Sequence, residues 1–476
     1  TIALNGCKNL RKFPKLLGAI NLEDIECREC ESLVELPCLN HLASLASITL
    51  HKCRSLKEFP ELPKNISYLN LGETGIEEVP DSIEHLTRLE VLNLRDTMVK
   101  NVSTRISKLE HLWLLDLSYS STAEFPEIPI NLQHLRLADT EIEEVPSRFD
   151  CQSSLTLLDL SGTSITTVDV ATFIRFENLE HLKMNYCHKL KLLSEVPPNL
   201  NYLEAHGCTS LEKVTFIDRN RFEVPNEIFM IFSDCFNLNK DSIDNIEQTA
   251  MFKVGAQVER WISLWESCCQ SQRLFFCFPG NEISANKFEF QSLNSSINLK
   301  RAPNWRIGGR FLAFVICLVA DLTNCSRYEY IERICEYQLK ATSGGNEKFK
   351  TKWSDRRVLD FESVFECNGE HVLILFNNKI VKDYEEASFE FYIKGYNRWV
   401  EYRFDDIKVK KCGVHVFYVD EDQIDETSSE ASDEDQIDGT SSYPSDEDQE
   451  MCNIEEMSKD VSYVEEDIPD PIALRK

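Results

Sequence analysis

One pattern governs what this chain can become. Leu22-x-x-Ile25-x-Cys27-x-x-Cys30-x-x-Leu33 recurs as Leu45-x-x-Ile48-x-Leu50-x-x-Cys53-x-x-Leu56. It returns from Ile66, Leu89, Leu112, Leu132, Leu155, Leu179 and Leu200, with starts 20 to 24 residues apart, and a partial copy opens the chain at Ile2, Leu4, Cys7 and Leu10. Self-similarity at such a period means a stack of identical units. In Leu-x-Leu both apolar side chains point inward from a short strand, because side chains alternate with period two. The Cys or Thr three residues later turns into the core, where only a small side chain fits. One unit cannot bury its apolar face alone, so neighbours stack into a curved solenoid with strands along the concave side.

This is the leucine-rich-repeat pattern. Pro60, Pro80, Pro126 and Pro146 close the return arms, where a missing backbone donor is tolerated. Three short repeats carry Glu61-Leu62-Pro63-Lys64-Asn65, Glu127-Ile128-Pro129-Ile130-Asn131 and Glu195-Val196-Pro197-Pro198-Asn199. These favour an extended, irregular convex side. Longer repeats, such as that around Asp81 to Leu86, have room for one helical turn. An α/β solenoid over residues 1–214 is expected. Its first repeat has no cap, so Ile2, Leu4 and Leu10 should lie at an open, fraying end, and the chain reads as beginning inside a longer protein.

Residues 215–273 form a partly helical connector in this reading, with apolar positions Ile243, Ile246, Val254, Val258, Trp261, Ile262 and Trp265 between Asp241 and Ser267. From Leu274 the pattern turns to strands: Leu274 to Phe278, Phe311 to Ala320, Val372 to Phe376, Ser388 to Ile393 and Gly413 to Val419. Short apolar or alternating runs separated by Gly, Asn and Ser predict an antiparallel β-sandwich over 274–419. Residues 420–476 hold 21 acidic and three basic residues, and Asp420 to Asp425 repeats at Asp433 to Asp438. A self-repelling tract with little to bury is expected to be disordered.

Charge and motif content exclude several functions. The formal net charge is −29, and no basic patch offsets it, so nucleic-acid binding is not expected. The longest apolar run, Phe311 to Ala320, is half of what a helical membrane span needs. No Gly-x-x-x-x-Gly-Lys-Ser/Thr, His-Glu-x-x-His or Gly-x-Ser-x-Gly occurs, and no catalytic constellation emerges, so the chain is not expected to be an enzyme or to use a cofactor. Cys27-x-x-Cys30 has metal-ligand spacing, yet Cys27 replaces an inward leucine and Cys30 is the ordinary turn position. No second ligand pair follows at zinc spacing. Periodic cysteines (Cys7, Cys30, Cys53, Cys187, Cys208) read as small apolar fillers in a reducing compartment. The Asn-x-Ser triplets at Asn65, Asn101, Asn294 and Asn324 are expected to be unmodified.

The candidate site is therefore the concave face. Its outward residues include Tyr68, Asn70, Glu73, Arg95, Asp96, Trp113, Asp116, Tyr119, His134, Arg136, Asp159, His181, Lys183, Tyr186, Tyr202, Glu204 and His206. Of these, Tyr68, Arg95, Trp113, Tyr119, His134, Arg136, His181, Tyr186 and Tyr202 are the expected protein-binding positions, because exposed aromatics and arginines on a rigid surface are typical anchors.

The repeats, with alternating Cys and Thr and Phe-Pro or Val-Pro ends, resemble those of plant TIR-type nucleotide-binding leucine-rich-repeat immune receptors. Phe232-Ser233-Asp234-Cys235-Phe236-Asn237-Leu238 resembles the opening of that family's post-repeat domain, which has a jelly-roll or Ig-like fold. Cys277-Phe278-Pro279-Gly280-Asn281-Glu282-Ile283 resembles its Pro-Gly loop, and Val409 to Val416 its closing strand. Ser284 and Asn286 stand where the family has a proline and an aromatic. The resemblance implies a sensor region in the cytoplasm or nucleus. It would bind a pathogen effector and control an upstream nucleotide-binding domain, with Pro279 and Gly280 helping to make contact. The alternative is a truncated, non-signalling scaffold or decoy.

Overall fold

In the computed structural model the described residues are 1–146, 154–168, 178–196, 200–217, 227–263, 273–300, 310–323, 325, 330–341, 345–354, 367–377, 384–396 and 405–419. The acidic tract expected to be disordered lies outside them, as do Pro197 to Asn199 and Trp265.

Short parallel strands form the solenoid. They run from Ile2–Ala3 through Asp24–Glu26, Ser47–Thr49, Tyr68–Asn70, Val91–Asn93, Leu114–Asp116, His134–Arg136, Leu157–Asp159, His181–Lys183 and Tyr202–Glu204. The middle residue of each three-residue strand points inward. Leu69, Leu92, Leu115, Leu135, Leu158, Leu182 and Leu203 are fully buried and stack in register. The ladder does not stop at residue 214. Glu227–Ile231 pairs parallel with Tyr202–Glu204, and Arg273–Pro279 pairs parallel with Glu227–Ile231.

The described convex side carries no α-helix; it has 3-10 turns at Asp81–His85 and Thr104–Lys108 and short parallel strands, Glu78–Val79 with Asn101–Val102 and Thr167–Val168, Leu192–Val196 and Lys213–Phe216 side by side. The solenoid is therefore a β-solenoid rather than the α/β form expected. The short repeats leave too few residues for an α-helical turn, and their prolines disfavour one. Asn65 and Asn131 close those repeats by donating to the carbonyls of Leu45 (2.6 Å) and Glu110 (2.8 Å) in the preceding coil.

The turn cysteines do more than fill space. Cys30, Cys53, Cys187, Cys208 and Cys235 are buried, and each thiol points at a carbonyl of the preceding coil, at 2.9 to 3.1 Å. Thr74, Thr97, Thr140 and Thr163 at the same position instead donate to their own coil, each at 2.7 Å. Just before this position stands a residue with positive φ in every coil: Gly6, Glu29, Lys52, Glu73, Asp96, Tyr119, Asp139, Gly162, Tyr186, Gly207 and Asp234. A non-glycine residue there costs about 1 kcal/mol or more. The cost is offset because its N–H reaches across to the next coil. Ten such bonds follow one another, from Gly6 N to Arg28 O through Gly207 N to Ser233 O.

Arg273–Pro279 is the hinge of the architecture. On one side it closes the parallel ladder; on the other it pairs antiparallel with Glu370–Asn377. Arg310–Asp321, Val409–Val419 and Phe290–Ser292 complete that sheet. A second antiparallel sheet holds Ser296–Lys300, Tyr384–Tyr396, Tyr330–Ala341 and Asn346–Ser354, with Asp405–Ile407 beside Tyr384–Tyr396. The run Leu274 to Phe278 has no polar alternation because both faces are covered. Leu274, Phe276 and Phe278 join the solenoid core, while Phe275 and Cys277 join a second core. That second core lies between the two antiparallel sheets, where Ile316, Leu373, Leu375 and Val414 meet Tyr337, Trp353, Phe389 and Phe391.

The connector contains one helix, Lys240–Ser263. Asn239 caps it by accepting from the Ser242 N–H at 2.9 Å. Ile246, Ala250, Val254 and Val258, four apart, bury one stripe in the solenoid core. Ser242 Oγ accepts from Val214 N at 2.9 Å, pinning the helix to the last convex strand.

Candidate protein-binding face

The concave face follows from the strand geometry. Residues on either side of each inward leucine point the other way, and so does the turn after the strand. Not all of them are available. Asn70, Asn93, Asp116 and Asp159 fold back, and each accepts the backbone N–H two residues on, at 2.9 to 3.0 Å. Their job is to close the turn, and their recurrence at one repeat position was the signal for it. Tyr68, expected to be outward and exposed, is buried at 7% exposure, so it offers little contact area. Glu204 and His206 are buried as well.

The remaining expected residues fall into two groups. In the first, the Arg95 guanidinium lies 4.4 Å from the Tyr119 ring centre, and Trp113 meets His134 edge-on at 5.5 Å. Arg136 Nη1 sits 3.7 Å from the buried Asp116 carboxylate. Tyr119 is 42% exposed, held out by its left-handed backbone. These side chains are fixed by one another rather than by core packing, which limits the rotamer entropy lost when something binds.

The second group is a stack. His181 and Tyr202 lie face to face at 4.4 Å, and Tyr202 stacks on Phe229 at 5.0 Å. Phe229 reaches Phe275 at 6.3 Å, and Arg333 of the second antiparallel sheet covers Phe275 at 4.4 Å. Burial, helped by Lys183, lowers the His181 pKa and favours the neutral imidazole. The Tyr202 hydroxyl donates to Glu227 at 2.8 Å; burial and that carboxylate push its pKa up. Tyr186 meets His206 edge-on at 5.0 Å, and its ring lies over Gly207, where an added Cβ would come within 2.8 Å of it.

Pro279 and Gly280 belong to a different setting. Pro279 is the buried last residue of its strand, in register with His371. Gly280 is half-buried; its N–H donates to Glu370 O at 3.1 Å, and a Cβ there would press on Val372 at 3.0 Å. The following loop is tied to the helix, with Ser284 Oγ and Lys287 Nζ both reaching Glu247.

Two further features were not read from sequence. Glu73 is a focus of basic side chains, with Arg54 at 2.8 Å, His51 at 3.4 Å and Lys52 at 3.9 Å. Phe229 and Phe275 extend the aromatic column beyond the repeats recognised by their leucines. Among the described residues no group of three His, Cys, Asp or Glu is placed to hold a metal ion. The Cys27 and Cys187 thiols are pushed well up, first by hydrogen bonding to Cys53 and Cys208 and then by burial, so they are poor nucleophiles. No described helix is long and apolar enough to cross a membrane.

Comparison with known proteins sharpens this picture. Residues 278–423 match the C-JID domain. Disease resistance protein RPP2B of Arabidopsis thaliana is 26% identical over 61% of this chain and 26% of its own length. Disease resistance protein RPS4B of the same plant is 29% identical over 56% of this chain and 25% of its own. The chain thus spans about a quarter of the length of these curated relatives. A solved leucine-rich-repeat protein of Leptospira interrogans aligns with 50% of this chain and 73% of its own, at 18% identity and a TM-score of 0.35. Repeats, post-repeat motifs and relatives point the same way: the chain is similar to the TIR-type disease resistance proteins of plants in its leucine-rich repeats and in the C-JID match that follows them.

Proposed function

We propose that residues 1–419 are the protein-recognition region of an intracellular plant immune receptor, binding a pathogen effector on the concave face. In this reading the two antiparallel sheets are a jelly-roll or Ig-like sandwich. That domain extends the recognition surface and takes part in holding a nucleotide-binding domain in its resting state. The chain acts by binding and catalyses nothing.

The observation that carries the proposal is the first group on the concave face. Arg95, Trp113, Tyr119 and His134 are mutually braced on a backbone whose own hydrogen bonds are already satisfied. Side chains that are neither core nor capping groups, yet are held in place, suit recognition. The test is a binding screen of the full chain against a panel of purified pathogen effectors from plant hosts. A binder should lose at least tenfold in affinity against Trp113→Ala combined with Arg95→Ala, with the melting temperature unchanged. Equal binding by that double variant would contradict the proposal.

A further inference from the structure

The interrepeat ladder has to end somewhere, and where it ends is informative. In ten successive coils the left-handed residue donates its N–H to the carbonyl just before the next coil's left-handed residue. Asp234 is the eleventh such residue, with φ of 60°. Among the described residues no further coil of this kind follows it; the next described strand, Arg273–Pro279, runs on into the Gly280 turn. Asp234 N instead donates to Nε2 of His371 at 3.0 Å, across 137 residues of sequence.

The surroundings are built for this. His371 is fully buried, and its Nδ1 lies 3.3 Å from Gly369 O. With Nδ1 donating there, Nε2 is left as the acceptor Asp234 needs. The Asp234 carboxylate accepts from Asn368 N at 2.9 Å and from Asn368 Nδ2 at 3.1 Å. His371 Nε2 also lies 3.3 Å from Asp234 Oδ1, so main chain and side chain of Asp234 both face the imidazole. Gly369, with φ of +79°, makes the tight turn; its N–H donates to Thr323 Oγ1 at 2.9 Å. Phe236, 55% exposed, lays its ring edge-on to the His371 imidazole at 5.8 Å and screens it from water.

We infer that the Asn368–His371 turn is the terminal cap of the solenoid, with the His371 imidazole standing in for the carbonyl of a twelfth coil. A solenoid end left open exposes unpaired donors and apolar edges, which is why terminal units need a cap. Here the cap is not an atypical repeat but a loop of the following domain. The same contact therefore finishes the solenoid and fixes the orientation of the post-repeat domain against it. The Asp234-Cys235-Phe236-Asn237 segment becomes intelligible in these terms. Asp234 takes the cap, Cys235 continues the thiol ladder, Phe236 shields the histidine, and Asn237 ties back to Thr209 O at 2.7 Å.

Hydrogen exchange by mass spectrometry on the full chain tests this. His371→Ala should raise exchange at least tenfold in segments covering 204–211 and 230–238, with residues 68–116 unchanged. His371→Gln, whose side-chain oxygen can accept near the position of Nε2, should stay within about threefold of the parent. Asp234→Gly keeps the left-handed backbone and the N–H but removes the carboxylate. It should loosen 367–371 even if His371→Ala does not fold. Unchanged exchange at 230–238 in His371→Ala, or no change at 367–371 in Asp234→Gly, would overturn the inference. So would equal loosening by His371→Ala and His371→Gln confined to the post-repeat strands, because that would make His371 an ordinary core residue of its own domain.

Discussion

The solenoid and the post-repeat domain share one sheet but are held together in opposite ways. In the solenoid each strand meets a partner 20 to 27 residues away, such as Tyr68 against Val91 or Tyr202 against Phe229. Polar closure is equally local: Asn70 on Gly72, Thr97 on Leu94, Cys53 on Cys27. In the post-repeat domain Arg273–Pro279 waits about a hundred residues for Glu370–Asn377, and Arg310–Asp321 for Val409–Val419. Damage to the first region should therefore stay near its source, whereas damage to the second should spread through the whole domain. The strand Arg273–Pro279 and the His371 contact are where the two regimes meet.

The strongest way to break this comparison is to bury a charge in each region. Leu115→Asp places an unpaired carboxylate at a fully buried ladder position, a loss of about 4 kcal/mol or more. Exchange should rise in the coils on either side and leave the post-repeat strands protected. Ile374→Asp, equally buried, should instead expose every strand from 273 to 419 together. An unchanged melting temperature for Leu115→Asp would contradict the register of the repeats.

A smaller effect of opposite sign sits where the regions join. Lys253, on the connector helix, is only 7% exposed, and burial lowers its pKa from 10.5 to about 8. Below pH 8 the folded state carries the full cost of the buried charge. Above 10.5 the amine is neutral folded or unfolded and the cost is gone, so this group makes stability rise between those values. Lys253→Met should stabilise the protein near neutrality by roughly 2–3 kcal/mol and flatten that rise. Denaturant titration at pH 7 and pH 10 checks it, and an unchanged slope with pH would refute it.

Next comes Gly207→Ala. It combines a left-handed φ of +69° with a Cβ 2.8 Å from the Tyr186 ring, at a cost of about 1–3 kcal/mol. It should shift Tyr186 and leave the post-repeat domain untouched, seen as a local exchange change only. Smallest of all is Cys53→Ala, which removes one interrepeat bond to Cys27 O at about 1 kcal/mol. A much larger loss would show that the thiol ladder does more than join neighbouring coils.

The same contrast explains what could be read from sequence. Repeats announce themselves because every coil solves one packing problem with the same residue types, so Leu69, Leu92 and Leu115 were placeable without coordinates. So were the buried turn positions, apart from Cys7 in the opening partial repeat, which is exposed. The hydrogen bonds of the thiols were not, since spacing gives burial but not whether a group bonds within its coil or across to the next. Asn70, Asp116 and Asp159 looked like contact residues because outward parity says nothing of a side chain curling back onto its own turn. Tyr68 was misjudged as exposed for a related reason: alternation gives a direction and not the cover provided by neighbours. In the post-repeat domain the apolar runs marked strands, but apart from the hairpin of Tyr330–Ala341 with Asn346–Ser354 and the short Asp405–Ile407 pairing, strand order depends on pairings across about 43 to 124 residues that no local pattern encodes. His371 and Asn368 carry no motif of their own; only the ladder that they terminate gives them meaning.

The claim that matters most is that partners are met on the concave face. The direct measurement is a hydrogen-exchange footprint of the full chain with and without a bound effector protein. The account predicts slowed exchange in segments covering 91–96, 113–119, 134–139 and 181–186, with the convex turns Asp81–His85 and Thr104–Lys108 unaffected. Protection confined to those convex turns, with the concave segments exchanging as in the free chain, would contradict it.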